Sequence, residues 1–490
     1  MKEQPQLVVL GAGPAGIQAA ITASRNGVDT LLIDQAPKAG GQIYRPLPTS
    51  YSAGADLHHD KDFATGEKLR QELADSPARI AFGHTVWRIS PGFEVEAVSA
   101  DGPQTWRPQA VIAATGAYER CVPFKGWTQP GVIGLAAATI LLKSQQALPG
   151  HRVVVAGCGP LLPAVAASIL KGGGKVAAVI DLAGRSEWLA ALPSLALRPE
   201  LLVRGTKWMA AIRSAGVPIL NRHTIVEAIG NDDGLSLVLA KPTNTDGTVI
   251  AGASPLQFEA DCLAIGHGLV PSTDVTRALR ARHVYRPDRG GWIADCDDSY
   301  RTSVNRLYVC GDGAGIRGAA PAALQGQIAG LTAASDLGLI DKDAYEAQTA
   351  PLRAKLRHVD RFGAAMTRLM ALRPAMMDAI AADTIVCRCE DVTRSEIDDA
   401  LDVGAADLNQ LKAWTRAGMG PCQGRVCGET ISSLCAERMG GKERVGLWTG
   451  RSPLRPVPMK EIIGNYRYED IVWGGNKTAL DDEGQPLKRR

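Results

Sequence analysis

The chain has 490 residues, 45% apolar and 21% charged, with a formal net charge of +3, which excludes a disordered chain and makes two or three packed domains the expectation. So small a charge, without a basic run, also excludes a protein whose main partner is nucleic acid, where clustered Lys and Arg must neutralise phosphates. Abundant Gly (53 residues) beside scarce aromatics (5%) suits an α/β protein with many tight strand-to-helix turns.

The N-terminus runs straight into Leu7-Val8-Val9-Leu10 with no secretory pattern, and no apolar run reaches the roughly 20 residues of a membrane helix, so a cytoplasmic location is expected. That strand enters Gly11-Ala12-Gly13-Pro14-Ala15-Gly16 and a helix-like Ile17–Ala23. Here the glycines have mechanical roles: Gly11 makes the turn, Gly13 lets a pyrophosphate approach the backbone, and Gly16 lets helix and strand pack, with the anion on the helix N-terminus beside Pro14 and Ala15. The next strand, Thr30–Ile33, ends at Asp34 and Gln35, where a carboxylate can take the ribose hydroxyls.

The loop alone does not choose between FAD and NAD. Two later strands resemble accessory motifs of the two-dinucleotide-domain flavoproteins: Ala110–Ala114 ending in Thr115-Gly116, and Arg306–Cys310 ending in Gly311-Asp312. By that resemblance Asp312 holds the ribityl and phosphate region of FAD, and the Gly40-Gly41-Gln42-Ile43-Tyr44-Arg45 segment, with Gly41 and Gln42, approaches the isoalloxazine.

A second strand, Arg152–Ala156, enters Gly157-Cys158-Gly159-Pro160-Leu161-Leu162-Pro163, and Lys175–Ile180 ends at Asp181, a candidate ribose ligand. Leu162 stands where the third glycine belongs and is expected to push helix from strand, with Pro163 constraining the first turn. Gly157, Gly159 and Asp181 therefore mark an NAD(P)-type domain with a degenerate loop; NAD(P), another adenine nucleotide held structurally, and an empty or partner-facing domain all stay open. No Cys pair precedes residue 387, which argues against disulfide reduction.

Beyond about residue 340 the Gly-rich pattern stops and Lys355–Ala381 reads as helix, its Met366, Met370, Met376 and Met377 expected as core filler. Of ten cysteines, Cys121, Cys158, Cys262, Cys296 and Cys310 are scattered and read as core, as does Cys435. Cys387-x-Cys389 and Cys422-x4-Cys427, thirty-two residues apart, form two close pairs. Thiolate ligands select zinc, copper(I) or iron–sulfur clusters, and the spacing is unlike zinc ribbons. With Glu390-Asp391-Val392-Thr393 and Gly418-Met419-Gly420-Pro421-Cys422-Gln423-Gly424-Arg425-Val426-Cys427, the segment resembles the bacterioferritin-associated ferredoxin domain, which implies a [2Fe-2S] cluster. A flavin, which exchanges electrons in pairs or singly, then stands beside a one-electron centre.

The order of these motifs, with Thr115-Gly116-Ala117-Tyr118-Glu119-Arg120 and the Pro123–Gly131 segment, resembles the FAD-containing α (A) subunits of hydrogen cyanide synthase, opine (octopine, nopaline) oxidase and D-hydroxyproline dehydrogenase. The resemblance covers residues 5–465. It implies an α/β, two-dinucleotide-binding-domain flavoprotein: a discontinuous FAD domain at 1–122 and 273–340, an NAD(P)-type domain at 123–272, a helical connector at 341–383, a small helical [2Fe-2S] domain at 384–440 and an extended tail at 441–490. It further implies an FAD-dependent oxidoreductase complex acting on CH–NH or CH–NH2 donors. There a flavin-bearing β subunit, with or without a small γ subunit, oxidises an amino acid, imino acid or opine, and this chain relays the electrons without catalytic residues of its own. The rival is an NAD(P)H-dependent reductase that passes electrons through its cluster to a carrier protein. Alternating prolines make Arg451–Met459 an extended arm, either a strap over its own domains or a contact for a neighbouring protein of the complex, and the chain from Gly474 is expected to be disordered.

Overall fold

The computed structural model describes residues 4–47 and 61–463. Leu7–Leu10 is buried on both faces at the centre of a five-stranded parallel sheet, as its unbroken apolar run requires. Across that sheet the order is Leu307–Val309, Ala110–Ala113, Leu7–Leu10, Thr30–Asp34 and Arg79–Phe82, with Leu7 opposite both Thr30 and Ala110.

Helices Pro14–Arg25 and Ala319–Asp336 lie together against this sheet. A side chain at Gly326 would overlap the Ala15 carbonyl, and one at Gly330 would stand 2.6 Å from the Ala19 carbonyl oxygen. Since 15 meets 326 and 19 meets 330, the helices run in the same direction and bring both N-termini to one crevice.

The second sheet is also parallel and five-stranded, ordered Ile219–Asn221, Lys175–Asp181, Arg152–Gly157, Cys262–Gly266 and Val132–Gly134. Helices Leu161–Lys171 and Pro199–Ser214 cover one face, and the antiparallel meander His223–Asn231, Gly234–Pro242, Leu256–Glu259 covers the other. A two-stranded antiparallel ribbon, Ala117–Glu119 with Leu269–Pro271, joins the two sheets.

The connector helix spans Lys342–Leu369, capped by the Asp341 carboxylate on the Ala344 N–H. It begins before the expected Lys355 and ends before Ala381; a separate short turn follows Pro374 at Ala375–Asp378. The C-terminal unit pairs Ile385–Cys387 with Val392–Thr393 and adds helices Arg394–Asp402, Leu408–Thr415 and Gly428–Met439, the first opened by a Thr393/Glu396 capping box.

Trp448 lies over Gly418, Gly424 and Gly428, where any side chain would strike its ring. Leu454 is buried in the first sheet's core, its N–H donating to the Trp87 carbonyl at 2.6 Å. The arm is thus a strap over its own chain at this point. The expected disorder from Gly474 falls outside the described residues. Among the described residues no helix is long and apolar enough to cross a membrane.

Candidate functional site

At the first crevice the three loop glycines divide their work. Gly11 has φ +103, and a Cβ there would stand 2.5 Å from the Ala114 carbonyl oxygen; one at Gly16 would overlap the Gly11 carbonyl. These two are fixed by packing. Gly13 has an ordinary φ of −77, and the nearest atom of the chain to an added Cβ is the Gly41 Cα at 3.8 Å. Open space therefore stands over Gly13, where a pyrophosphate would meet the N-terminus of helix Pro14–Arg25.

All the first-site candidates except Gly16 line one cavity of about 2210 Å³, which continues along the second domain past Leu161, Pro163 and Asp181. The Asp34 carboxylate accepts the N–H groups of Ala12 and Ala36, the latter at 2.7 Å, and each oxygen retains capacity for a hydroxyl donor. Gln42 holds the Arg45 guanidinium at 2.8 Å, and Gly41, at φ +60, lies against Gly13. Thr115 Oγ1 donates to the Ser272 carbonyl at 3.1 Å and the Gly116 carbonyl accepts the Ser272 N–H at 2.9 Å, tying this turn to the end of the joining ribbon. Asp312 is half-buried at the cavity wall, and desolvation pushes its carboxyl above the usual range. Its Oδ1 takes both the Arg317 and Gly318 N–H groups, at 3.1 and 3.2 Å, beside the start of helix Ala319–Asp336. The open cradle and two converging helix N-termini fit a dinucleotide such as FAD.

The second crevice repeats the turn and closes the cradle. Gly157 has φ +126 and abuts the Gly266 carbonyl as Gly11 abuts Ala114. At Gly159, however, an added Cβ would stand 2.5 Å from the Met370 Cγ and 2.9 Å from its Sδ. The Met370 carbonyl is held by Arg120, whose buried guanidinium also reaches the carbonyls of His267 (3.1 Å) and Gly290 (2.8 Å). Arg373 then pairs with Glu187 on the far side.

Asp181, expected to face a ribose, lines the same cavity and accepts the Ala183 N–H at 2.9 Å and the Trp188 Nε1–H at 2.8 Å, one on each oxygen. Burial pushes its pKa up to about 6. Leu162, expected to hold the helix off its strand, is buried with Val153 and Val155 in the core of that layer. The obstruction at this loop is Met370 instead. Of the four methionines expected as filler, Met366, Met376 and Met377 are buried core, while half-buried Met370 closes the loop.

The four candidate cysteine ligands fall into two pairs. Cys387 meets Cys427, and Cys389 meets Cys422. The Cys427 thiol hydrogen bond, then the N–H groups of Gly418 (3.4 Å), Cys389 and Glu390, draw the Cys387 pKa down to about 6, while Cys427 is pushed well above the ordinary thiol range. Among the described residues no three ligand-type side chains gather about one point. Two pairs of thiols suit two irons with two thiolates each better than one tetrahedral zinc. Of the remaining cysteines, Cys158, Cys262, Cys310 and Cys435 are buried, and Cys121 and Cys296 half-buried.

The cysteine unit is seated on the ribbon between the sheets. Trp127 Nε1 donates to the Ile385 carbonyl at 2.6 Å, Thr430 Oγ1 to the Cys121 carbonyl at 2.9 Å, and Arg425 reaches Tyr118, two residues past Gly116. Beside it Glu119 is buried, accepts the Ala136 N–H at 2.9 Å and has its pKa pushed up to about 7 by burial. Tyr118, Glu119, Arg120 and Arg425 stood inside quoted motifs without a role. Asp274 and Met370 gave no local signal, because their partners lie 150 residues or more away.

The model of the family described as pyridine nucleotide-disulphide oxidoreductase matches residues 5–335, and that of the BFD-like [2Fe-2S] binding domain matches residues 385–437. Over 465 residues the chain is 34% identical to the A subunit of opine oxidase from Rhizobium meliloti, covering 93% of this chain and 97% of that one. It is 33% identical over 468 residues to the HcnB subunit of hydrogen cyanide synthase from Pseudomonas protegens, covering 92% and 96%. L-Proline dehydrogenase from P. horikoshii shares the fold, with a TM-score of 0.66 at 19% identity, over 94% of this chain and 79% of that one.

Proposed function

Because the chain belongs to the pyridine nucleotide-disulphide oxidoreductase family and ends in a BFD-like [2Fe-2S] domain, we propose that it is the FAD- and [2Fe-2S]-bearing electron-transfer subunit of a heteromeric oxidoreductase acting on C–N bonds. The relatives are named as subunits of opine oxidase and hydrogen cyanide synthase. In this reading a flavin-bearing β subunit oxidises an amino acid, imino acid or opine, and the electrons enter this chain.

Bound FAD supplies exchange of electrons in pairs or singly, which a one-electron cluster alone lacks. The residues of the chain do the rest. The loop at Gly13 and the two helix N-termini hold the pyrophosphate, Asp34 the adenosine ribose and Asp312 the ribityl region. Cys387, Cys389, Cys422 and Cys427 hold the irons.

The observation that carries this reading is the seating of the cysteine loop on the ribbon that continues from Thr115-Gly116, in a chain whose second nucleotide loop is filled by Met370. That filling weighs against the rival NAD(P)H-dependent reductase. The test is co-purification of the native complex with a count of flavin and iron, followed by anaerobic addition of candidate amino-acid substrates. Reduction of the cluster together with the flavins is the expected result. Reduction confined to a partner's flavin, with this chain left oxidised, overturns the proposal.

A further inference from the structure

Arg425 lies between two of the cysteine ligands, yet its guanidinium is spent on other segments. Nε donates to the Tyr118 hydroxyl at 3.1 Å and to Asp274 Oδ2 at 3.1 Å, and Nη2 reaches the same Asp274 oxygen at 2.9 Å and the Leu454 carbonyl. Nη1 turns back to its own loop, to the Cys422 carbonyl at 3.1 Å and Gln423 Oε1 at 2.7 Å. Tyr118 in turn bonds Asp274 and accepts from Ser272 Oγ at 2.8 Å, the residue that also holds Thr115 and Gly116. Asp274 lines the same cavity as Thr115 and Gly116. One side chain thus runs from a cysteine ligand's carbonyl to the wall of the flavin crevice.

We propose that Arg425 is the positioning residue that seats the cluster against the flavin site and sets the cluster's potential, with Asp274 and Tyr118 as its anchor. This rests on the electron-relay reading above. Arg425 and Asp274 have side chains only 15% and 13% exposed, so their charges act through little water. A guanidinium bonded to the carbonyl of the candidate ligand Cys422 favours the more negative, reduced cluster, and its fixed fork holds the loop in one orientation. In each transfer one electron leaves the reduced flavin and one ferric iron becomes ferrous; no bond between heavy atoms is made, and a proton released by the flavin goes to solvent.

The experiment uses the full chain with FAD and iron counted. The flavin is photoreduced anaerobically, cluster reduction is followed by its electron paramagnetic resonance signal, and the cluster potential is titrated. Arg425→Gln is expected to keep FAD and iron, to lower the potential, and to slow flavin-to-cluster transfer at least tenfold; a tenfold loss at equilibrium corresponds to about 59 mV for one electron. Asp274→Asn, which removes the negative charge that faces Arg425, Arg277 and Arg455 while leaving every residue of the cysteine loop in place, is expected to raise the potential. Opposite shifts are not what a purely structural contact gives. Wild-type potentials and rates in both variants overturn the assignment, and if Arg425→Gln does not fold, an unshifted potential in Asp274→Asn does so alone. A wild-type chain that passes no electron from flavin to cluster overturns the relay reading beneath it instead.

Discussion

At Gly13 a side chain would meet no atom of the chain nearer than 3.8 Å, whereas at Gly159, the equivalent turn of the second sheet, it would meet Met370 at 2.5 Å. The glycines one turn earlier behave alike: Gly11 and Gly157 both hold positive φ and press on a neighbouring strand's carbonyl. One sequence pattern therefore encodes two separable properties. The first glycine preserves the strand-turn-helix packing, and only the space over the second decides whether a dinucleotide can enter.

The largest expected effect is at the open loop. Gly13→Val asks nothing unusual of the backbone, and its Cβ meets no other part of the chain within 3.8 Å, so the protein should fold, losing about 1 kcal/mol for a branched residue at the helix N-cap, yet emerge from gel filtration without flavin. Gly159→Ala should do the reverse, retaining flavin while losing about 1 kcal/mol to its positive φ, read by thermal unfolding.

Next comes Glu119, on the ribbon between the crevices. The folded protein holds it near pKa 7 against 4.5 for an ordinary glutamate, so folded chains bind more protons between those values. Stability should fall as pH rises from about 4.5 to about 7, by up to about 3 kcal/mol, and level off above. Asp181, raised to about 6, adds a drop of the same sign between about pH 4 and 6. Denaturant melts of Glu119→Gln at pH 5 and pH 8 should differ by less than those of wild type; an unchanged difference removes Glu119 as the source.

The last effect sharpens the comparison at the closed loop. Met370→Ala should cost about 2 kcal/mol, the low end for a Met truncation because the side chain is only half-buried. It should also make NADH binding measurable by fluorescence where wild type shows none. If NADH binds wild type and the variant equally, Met370 is not the plug.

Much of this was legible in the residues because it is local. Runs such as Leu7–Leu10 and Arg152–Ala156 announce buried strands, and the glycines at fixed offsets announce the turns. Cys-x-Cys and Cys-x4-Cys likewise announced segments that meet, Cys387 against Cys427 and Cys389 against Cys422. What escaped was non-local. Leu162 was misjudged because a branched residue in the third-glycine position can be absorbed by the core, and nothing near Gly159 in the chain reveals a methionine more than 200 residues later. The connector's true start at Lys342 was hidden by Pro351, which sits inside a 28-residue helix whose neighbours tolerate it. Arg425 stood in plain view, but its anchors on Asp274 and Tyr118 come together only through the fold.

Whether one crevice is open and the other closed is decided by mixing the FAD- and cluster-loaded chain with NADH anaerobically in a stopped-flow spectrophotometer. The flavin bands should persist through catalytic times, while photoreduced flavin still passes electrons to the cluster. Rapid bleaching by NADH would contradict the closed second crevice, and would make this chain a nicotinamide-dependent reductase in its own right.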